Sequence, residues 1–307
     1  MGECFRVIIY RIRIAAILPS MRLAFLALFF APFAIAQTPL QRQIASIAED
    51  AHGKVSVACS LPGTPLDCDL NPHAHPPMQS VFKFPLVLTV FHEVEQGKLS
   101  LDQPVRFLPS DRILPHAYSP LWDKYPNANV DVPLRELMRL AVSLSDNVAA
   151  DILLRVIGGP PVVDRYIASL GVTGFHLRDG EDMLHYHLQM QYRNWFEPDG
   201  AVELLRVVAD HTPLNAADTG QLEDWMENPS KRIGGDLPAG TRFAHKSGTS
   251  DVIKGKAAAT NDIGLITLPD GKRLAIAVFV TDSTADDATR DRVIARITRA
   301  AYDAALR

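Results

Sequence analysis

Strand-like sequence sits near both ends of this chain, and most of what lies between reads as helix. Val55-Ser56-Val57-Ala58 alternates with period two. Arg242–His245, Ile263–Leu268 and Arg273–Val280 read as strands in the last third. Pro269-Asp270-Gly271-Lys272 turns the last two into a hairpin. Strands at both ends with helices between imply one sheet built from the two termini. The expected class is α/β (α+β): a terminal antiparallel sheet flanked by helices, from residues 37–79 and 228–307. An all-helical lobe, residues 80–227, is inserted into it. A cleft between two such lobes is the natural place for a ligand.

Helical spacing runs from Leu40 to Ala51. It returns after Ser80 with Leu86, Val87, Val90, Phe91 and Val94 on one face, until Gly97 ends it. Further helices are expected over 132–143, from Ser145-Asp146-Asn147 to Gly158-Gly159-Pro160, over 161–170, at Ala201–Val208 and near Gln221–Met226. A last one runs from Ala288 to Leu306. Residues 172–196 break the pattern as a long polar loop, and loops of that length in a compact domain are usually functional or disordered.

The first 36 residues stand outside this scheme. Met21-Arg22-Leu23 is cationic, Ala24–Ala34 is apolar, and Ala34-Ile35-Ala36 has the small residues of a cleavage site. Residues 21–36 therefore read as a signal peptide preceded by an upstream extension, 1–20. Export to the periplasm or the medium is expected, with no membrane attachment after cleavage. Cys4 leaves with the leader, and Cys59 and Cys68 remain as a pair in an oxidising compartment. Counting outward from the Pro62-Gly63-Thr64-Pro65 turn sets Cys59 opposite Cys68 if Leu66–Leu70 returns beside Val55–Ala58. A disulfide is expected there. Net charge is −4, and no basic, aromatic-studded face points to nucleic acid.

Three short motifs carry the chemistry. Ser80 and Lys83 lie one helical turn apart, after Pro76-Pro77 and before a long apolar run. Ser145-Asp146-Asn147 and Lys246-Ser247-Gly248-Thr249 come after them in order. A Ser/Lys pair, a Ser-Asp-Asn turn and a Lys-Ser-Gly strand together mark acyl transfer to a serine. Phe82, Phe84 and Pro85 argue that Lys83 is buried, which pushes an amine toward its neutral form. Asp146 has the chemistry of a helix cap. Each residue taken alone has an ordinary reading as well: an N-cap serine, a surface arginine at Arg232, an aromatic covering a core edge at Tyr118.

Over nearly all of residues 37–307 the chain resembles the class A serine β-lactamases, with their β-lactamase/transpeptidase-like fold. The resemblance implies that Ser80 is the nucleophile and Lys83 a proton acceptor. It implies that Ser145 relays a proton to the leaving nitrogen and that Glu181, in the long loop, activates the hydrolytic water. Asn147, Lys246, Ser247, Gly248, Thr249, Tyr118, Arg232 and His185 would face the substrate. The N–H groups of Ser80 and Thr249 would form the oxyanion hole. Either Lys83 or Glu181 could serve as base in acylation. The implied partner is a small β-lactam, the implied cofactor none, and the implied state a monomer.

Departures from the commonest family pattern are specific. His185 stands where an asparagine is usual, and so does Asp151. The loop's usual Arg–Asp ion pair is expected to be absent, because its positions hold Asp179 and Asn194. With His245–Ser250 and Ala258-Ala259-Thr260-Asn261-Asp262, these resemble the PER-like and VEB-like extended-spectrum subgroup. That implies an altered loop and turnover of bulky oxyimino-cephalosporins.

Two rival functions share part of the motif set. A D,D-peptidase would keep the serine and lysines but lack a deacylating glutamate, and a β-lactam sensor would need a membrane relay. A metal hydrolase would have to use His73-Ala74-His75 or His185-Tyr186-His187, neither of which has the acidic or third-histidine company a catalytic zinc requires.

Overall fold

The computed structural model describes residues 37–112, 117–186, 189–210 and 213–307, with the backbone alone at 185 and 186. The leader and Cys4 lie outside the described residues. Gln37–Arg307 forms one compact unit.

The sheet draws on both ends of that unit. Strand β1 (Lys54–Ser60) pairs antiparallel with β9 (Arg273–Ser283), β9 with β8 (Lys256–Thr267), and β8 with β6 (Phe243–Thr249). A short β7 (Val252–Ile253) folds back on the start of β8. Helices α1 (Pro39–Ala48) and α10 (Asp287–Ala305) cover one face. Strand β9 shows why the sheet must be buried on both sides. Leu274, Ile276, Val278 and Val280 join the core under α1 and α10, while Ala275, Ala277 and Phe279 join the core on the opposite side.

That opposite core is helical. It contains α2 (Lys83–Glu95), α4 (Leu134–Ser143), α5 (Asn147–Ile157), α6 (Pro160–Ser169) and α8 (Pro198–Ala209), with the short α3 (Pro120–Lys124) and α9 (Ala216–Met226) at its margins. Every residue of α2 from Lys83 to Phe91 is buried, the mark of a central helix enclosed on all sides. Two ribbons interrupt the helices. Strand β2 (Pro104–Phe107) pairs with β3 (Val130–Pro133). Strand β4 (Phe175–His176) pairs with β5 (Trp195–Phe196), and so closes the neck of the long loop. Inside that loop lies α7 (Glu181–Tyr186), where the sequence reads as irregular.

The expected hairpin at Leu66–Leu70 does not form as a ladder. Only Leu70 bridges Val57, with reciprocal backbone hydrogen bonds of 2.7 and 3.0 Å. Strand β1 is the edge of the sheet and pairs along its whole length with β9 on its other side. The register inferred from the turn is nevertheless the one found, and Cys59 and Cys68 are joined by a disulfide with Cα atoms 5.9 Å apart.

Candidate active site

The nucleophile candidate sits where a turn meets the central helix. Gln79–Phe82 is a 3-10 turn running straight into α2, and Ser80 is its half-buried member. One turn on, Lys83 has no solvent exposure. Its Nζ donates to Ser80 Oγ (3.1 Å), to the Ser145 carbonyl (2.8 Å) and to Asn147 Oδ1 (2.5 Å). It also forms a 2.9 Å ion pair with Glu181 Oε1. Four oxygens around one buried ammonium compensate its loss of water.

Ser145 and Asn147 reach Lys83 because of Asp146. That carboxylate caps α5 through Ala149 N (2.9 Å), as its residue type predicts. It also accepts from Ser119 Oγ (2.8 Å) and Leu121 N (2.7 Å), so one buried side chain fixes the starts of α3 and α5 together. Ser145 itself takes a left-handed backbone, φ 56°.

Glu181 begins α7, and it too is buried, 3% exposed. Ser80 Oγ donates to its Oε1 at 3.3 Å. Asp151 on α5 holds this helix start in place. Its two carboxylate oxygens accept from the N–H groups of Glu181 (2.8 Å) and Asp182 (3.0 Å). Burial, reinforced by the neighbouring Glu181 charge, pushes the Asp151 carboxyl up to about 7.

The third motif lies on β6. Lys246 Nζ donates to Ser145 Oγ (3.0 Å) and to the Ser247 carbonyl (2.9 Å). Burial, then the nearby Lys83 charge, pulls the Lys246 ammonium down to about 7. Ser80, Lys83, Ser145, Asn147, Glu181 and Lys246 thus form one connected cluster. A Cβ on Gly248 would stand 2.5 Å from the Met78 carbonyl and 3.2 Å from Val81 N. The glycine therefore lets β6 lie directly against the turn that carries Ser80.

Arg232 is not a solvated surface arginine. It pairs with Asp291 at 2.8 Å and donates to the Gly248 and Asn261 carbonyls and to Thr249 Oγ1 (3.2, 2.9 and 2.8 Å). Ser247 is half-buried, Thr249 is exposed, and Tyr118 is 59% exposed beside the Ser145–Asn147 turn, where its carbonyl accepts from Asn147 N. The side chain of His185 lies outside the described residues.

Two details differ from the reading of the sequence. The loop does hold an Arg–Asp ion pair, but Arg193 supplies the arginine, 3.1 Å from Asp179. Asn194 instead accepts from the N–H groups of Arg178 and Asp179 and donates to the Asp179 carbonyl. His73 and His75 do have acidic company. His73 lies 3.4 Å from Glu197 and 3.3 Å from Asp199, and His75 lies 3.0 Å from Glu197. Among the described residues no group of three or more such side chains could hold a metal ion.

Some contributors have no short-range signal. Asp262 on β8 is fully buried, accepts from Ser230 Oγ (2.9 Å) and pairs with His245 Nδ1 (2.7 Å) directly behind Lys246. Tyr192 donates to Asp282 (2.6 Å) and ties the loop to β9. The apolar setting of Asp262 between strands is the one sequence clue that it needs a buried partner.

Comparison with known proteins agrees with this geometry. Residues 39–305 match the model of the beta-lactamase enzyme family. The extended-spectrum beta-lactamase PER-1 of Pseudomonas aeruginosa is 40% identical over 271 residues, covering 87% of this chain and 88% of PER-1. Beta-lactamase VEB-1, also of Pseudomonas aeruginosa, is 32% identical over 290 residues, 92% of this chain and 96% of VEB-1. The solved structure of a beta-lactamase from Chitinophaga pinensis superposes with a TM-score of 0.83 at 40% identity, covering 87% of this chain and all of that one. That of the TLA-1 extended-spectrum beta-lactamase gives 0.84 at 38% identity, covering 87% and 98%. Motifs, geometry and relatives agree: the chain belongs to the β-lactamase enzyme family, in its class A.

Proposed function

We propose that Ser80 carries the β-lactam as an ester and that Glu181 directs the water that removes it. The Ser80 oxygen attacks the lactam carbonyl and the C–N bond breaks. The hydroxyl proton leaves to Glu181, the carboxylate to which it already donates. Glu181 passes that proton on through Lys83, its ion-pair partner, to Ser145, which Lys246 supports from behind, and Ser145 delivers it to the departing nitrogen, so that Glu181 is a carboxylate again. The N–H groups of Ser80 and Thr249 stabilise the oxyanion, each such donor being worth about 3 kcal/mol. Water then adds to the ester carbonyl, Glu181 takes its proton, and Ser80 regains its own. General-base help of this kind contributes about 10²–10⁴-fold. The ammonium of Lys246 and the hydroxyls of Ser247 and Thr249 hold the substrate carboxylate, Asn147 the side-chain amide, and Tyr118 lines the rim. Arg232 braces Thr249.

The observation that carries this reading is the buried Glu181 carboxylate within hydrogen-bond reach of both Ser80 and Lys83. A peptidase or a sensor that stays acylated has no use for it. The Cys59–Cys68 disulfide supports work in an oxidising compartment, the periplasm or outside the cell. The extended-spectrum names of PER-1 and TLA-1 support hydrolysis of oxyimino-cephalosporins besides penicillins, and so resistance to both.

Glu181→Gln tests the assignment. With nitrocefin, the variant is expected to acylate more slowly, to release one equivalent of colour and then to stop, with the adduct on Ser80 visible by mass. Turnover at the parent rate would show that another group activates the water.

A further inference from the structure

The residues just ahead of Ser80 are held from two sides. The long loop holds one. Met78 N donates to the Asn194 carbonyl (3.1 Å), Phe196 N to the Pro76 carbonyl (3.4 Å), and Gln79 Nε2 to Gln191 Oε1 (2.7 Å). The sheet holds the other, through Asn261 on β8. This side chain is fully buried, and its Nδ2 donates to the Pro77 carbonyl (2.8 Å) and the Met78 carbonyl (3.3 Å).

The other half of the Asn261 amide bears on its role. Among the described residues its Oδ1 is buried with no hydrogen-bond partner. An unpaired buried acceptor is destabilising, and an apolar residue of the same size would avoid it. The position keeps that burden together with an NH2 group whose two hydrogens meet two successive carbonyls.

Those two carbonyls lead directly into a constrained residue. Gln79 has a left-handed backbone, φ 48°. A non-glycine residue stays there only where its surroundings over-determine it. The Met78 carbonyl belongs to the same peptide plane as Gln79 N–H, so fixing one fixes the other. Asn261 is also opposite Gly248 in the β6–β8 register, and Arg232 clamps the Gly248 and Asn261 carbonyls from behind. The site's strand and the nucleophile's turn are therefore referred to one pair of facing residues.

We propose that Asn261 is a positioning residue for Ser80, whose carboxamide grips the Pro77 and Met78 carbonyls and thereby aims the Ser80 hydroxyl and N–H into the cleft. This rests on the reading of Ser80 as the nucleophile. Asn261 touches no reacting atom. It acts on both half-reactions, because both use the Ser80 N–H.

Asn261→Leu in the full chain is the first test. Single-turnover acylation by nitrocefin is expected to slow at least 10-fold. Binding of phenylboronic acid, which bonds to the serine and fills the oxyanion hole, is expected to weaken in parallel. The thermal midpoint is expected to change by only a few degrees, because losing the donor to the Pro77 and Met78 carbonyls is partly offset by losing the unpaired Oδ1. A folded variant that acylates within two-fold of the parent overturns the proposal. Ser80→Ala is the control: if it binds the boronic acid like the parent, the nucleophile assignment has failed rather than the role of Asn261. Asn261→Asp gives a second reading that a merely structural role would not give. The introduced carboxyl can donate to a carbonyl only when protonated, so acylation is expected to gain a limb that rises as pH falls. A profile parallel to the parent's overturns the proposal. So does failure of both variants to fold, which would make Asn261 a residue of stability and not of aim.

Discussion

Lys83 and Glu181 meet at 2.9 Å with side-chain exposures of 0% and 3%. A buried ion pair has paid its desolvation twice over, so deleting one member strands the other. Lys83→Met and Glu181→Met are each expected to destabilise the fold by about 3–5 kcal/mol. The double variant is expected to lose clearly less than their sum, read from urea midpoints. Losses that simply add would mean the pair is not coupled.

Lys246 is held down to about 7. Its charge is present below that value and lost above it. The expected consequence is a fall in kcat/KM for anionic β-lactams as pH rises through about 7. Between there and the ordinary lysine value of 10.5 the unfolded chain holds a proton that the folded chain lacks. Stability should therefore climb with pH across that window. Lys246→Arg keeps its charge and should lose the alkaline limb in kcat/KM.

Asp151 gives the opposite sign. Its carboxyl is raised from 3.8 to about 7, so in that interval the folded chain holds the extra proton and stability falls as pH rises. Only the ionised form offers both oxygens to the N–H groups of Glu181 and Asp182. Deacylation, followed as decay of the acyl-enzyme mass, should slow as pH drops through about 7. Asp151→Asn should flatten both the stability slope and this limb.

Gly248→Ala would place a methyl carbon 2.5 Å from the Met78 carbonyl. Backbone cannot yield as a flexible side chain does. The expected cost is about 1–3 kcal/mol of stability and at least a 10-fold loss of acylation rate, because the displaced turn carries Ser80. Parent-like acylation in stopped flow would mean that β6 withdraws without disturbing the nucleophile.

The disulfide should behave in the reverse manner. Cys68 belongs to the apolar core under α1 and α10, and Cys59 packs against it. Replacing both with Ala should lower the unfolding free energy by about 2–3 kcal/mol and leave kcat unchanged. A change in kcat would reveal a connection from β1 to the cleft.

The sequence displays the parts of this site that local geometry fixes. Ser80 and Lys83 meet because i and i+3 share a helix face. Asp146 caps because its residue type and place demand it. Asn261, His245–Asp262 and Tyr192–Asp282 are not legible, since each joins segments remote in sequence and no spacing encodes them. Strand β8 shows the same limit. Ala257–Ala259 has little β-propensity of its own, and pairing with β9 draws it into the sheet. The β2–β3 and β4–β5 ribbons are too short to produce a visible alternation. The polar run that contains Glu181 forms a helix because a carboxylate thirty positions earlier caps it.

Strand β1 finds its ladder partner only in β9, near the far end of the chain. Until those last strands have been made, the polypeptide has no completed sheet, and the turn carrying Ser80 has neither Asn261 nor β6 to rest against. A growing chain, or one cut before β9, is thus expected to be inactive. Contacts this distant in sequence also form late, so antibiotic-destroying capacity should appear all at once, with the closing of the sheet, rather than build up as the helices assemble.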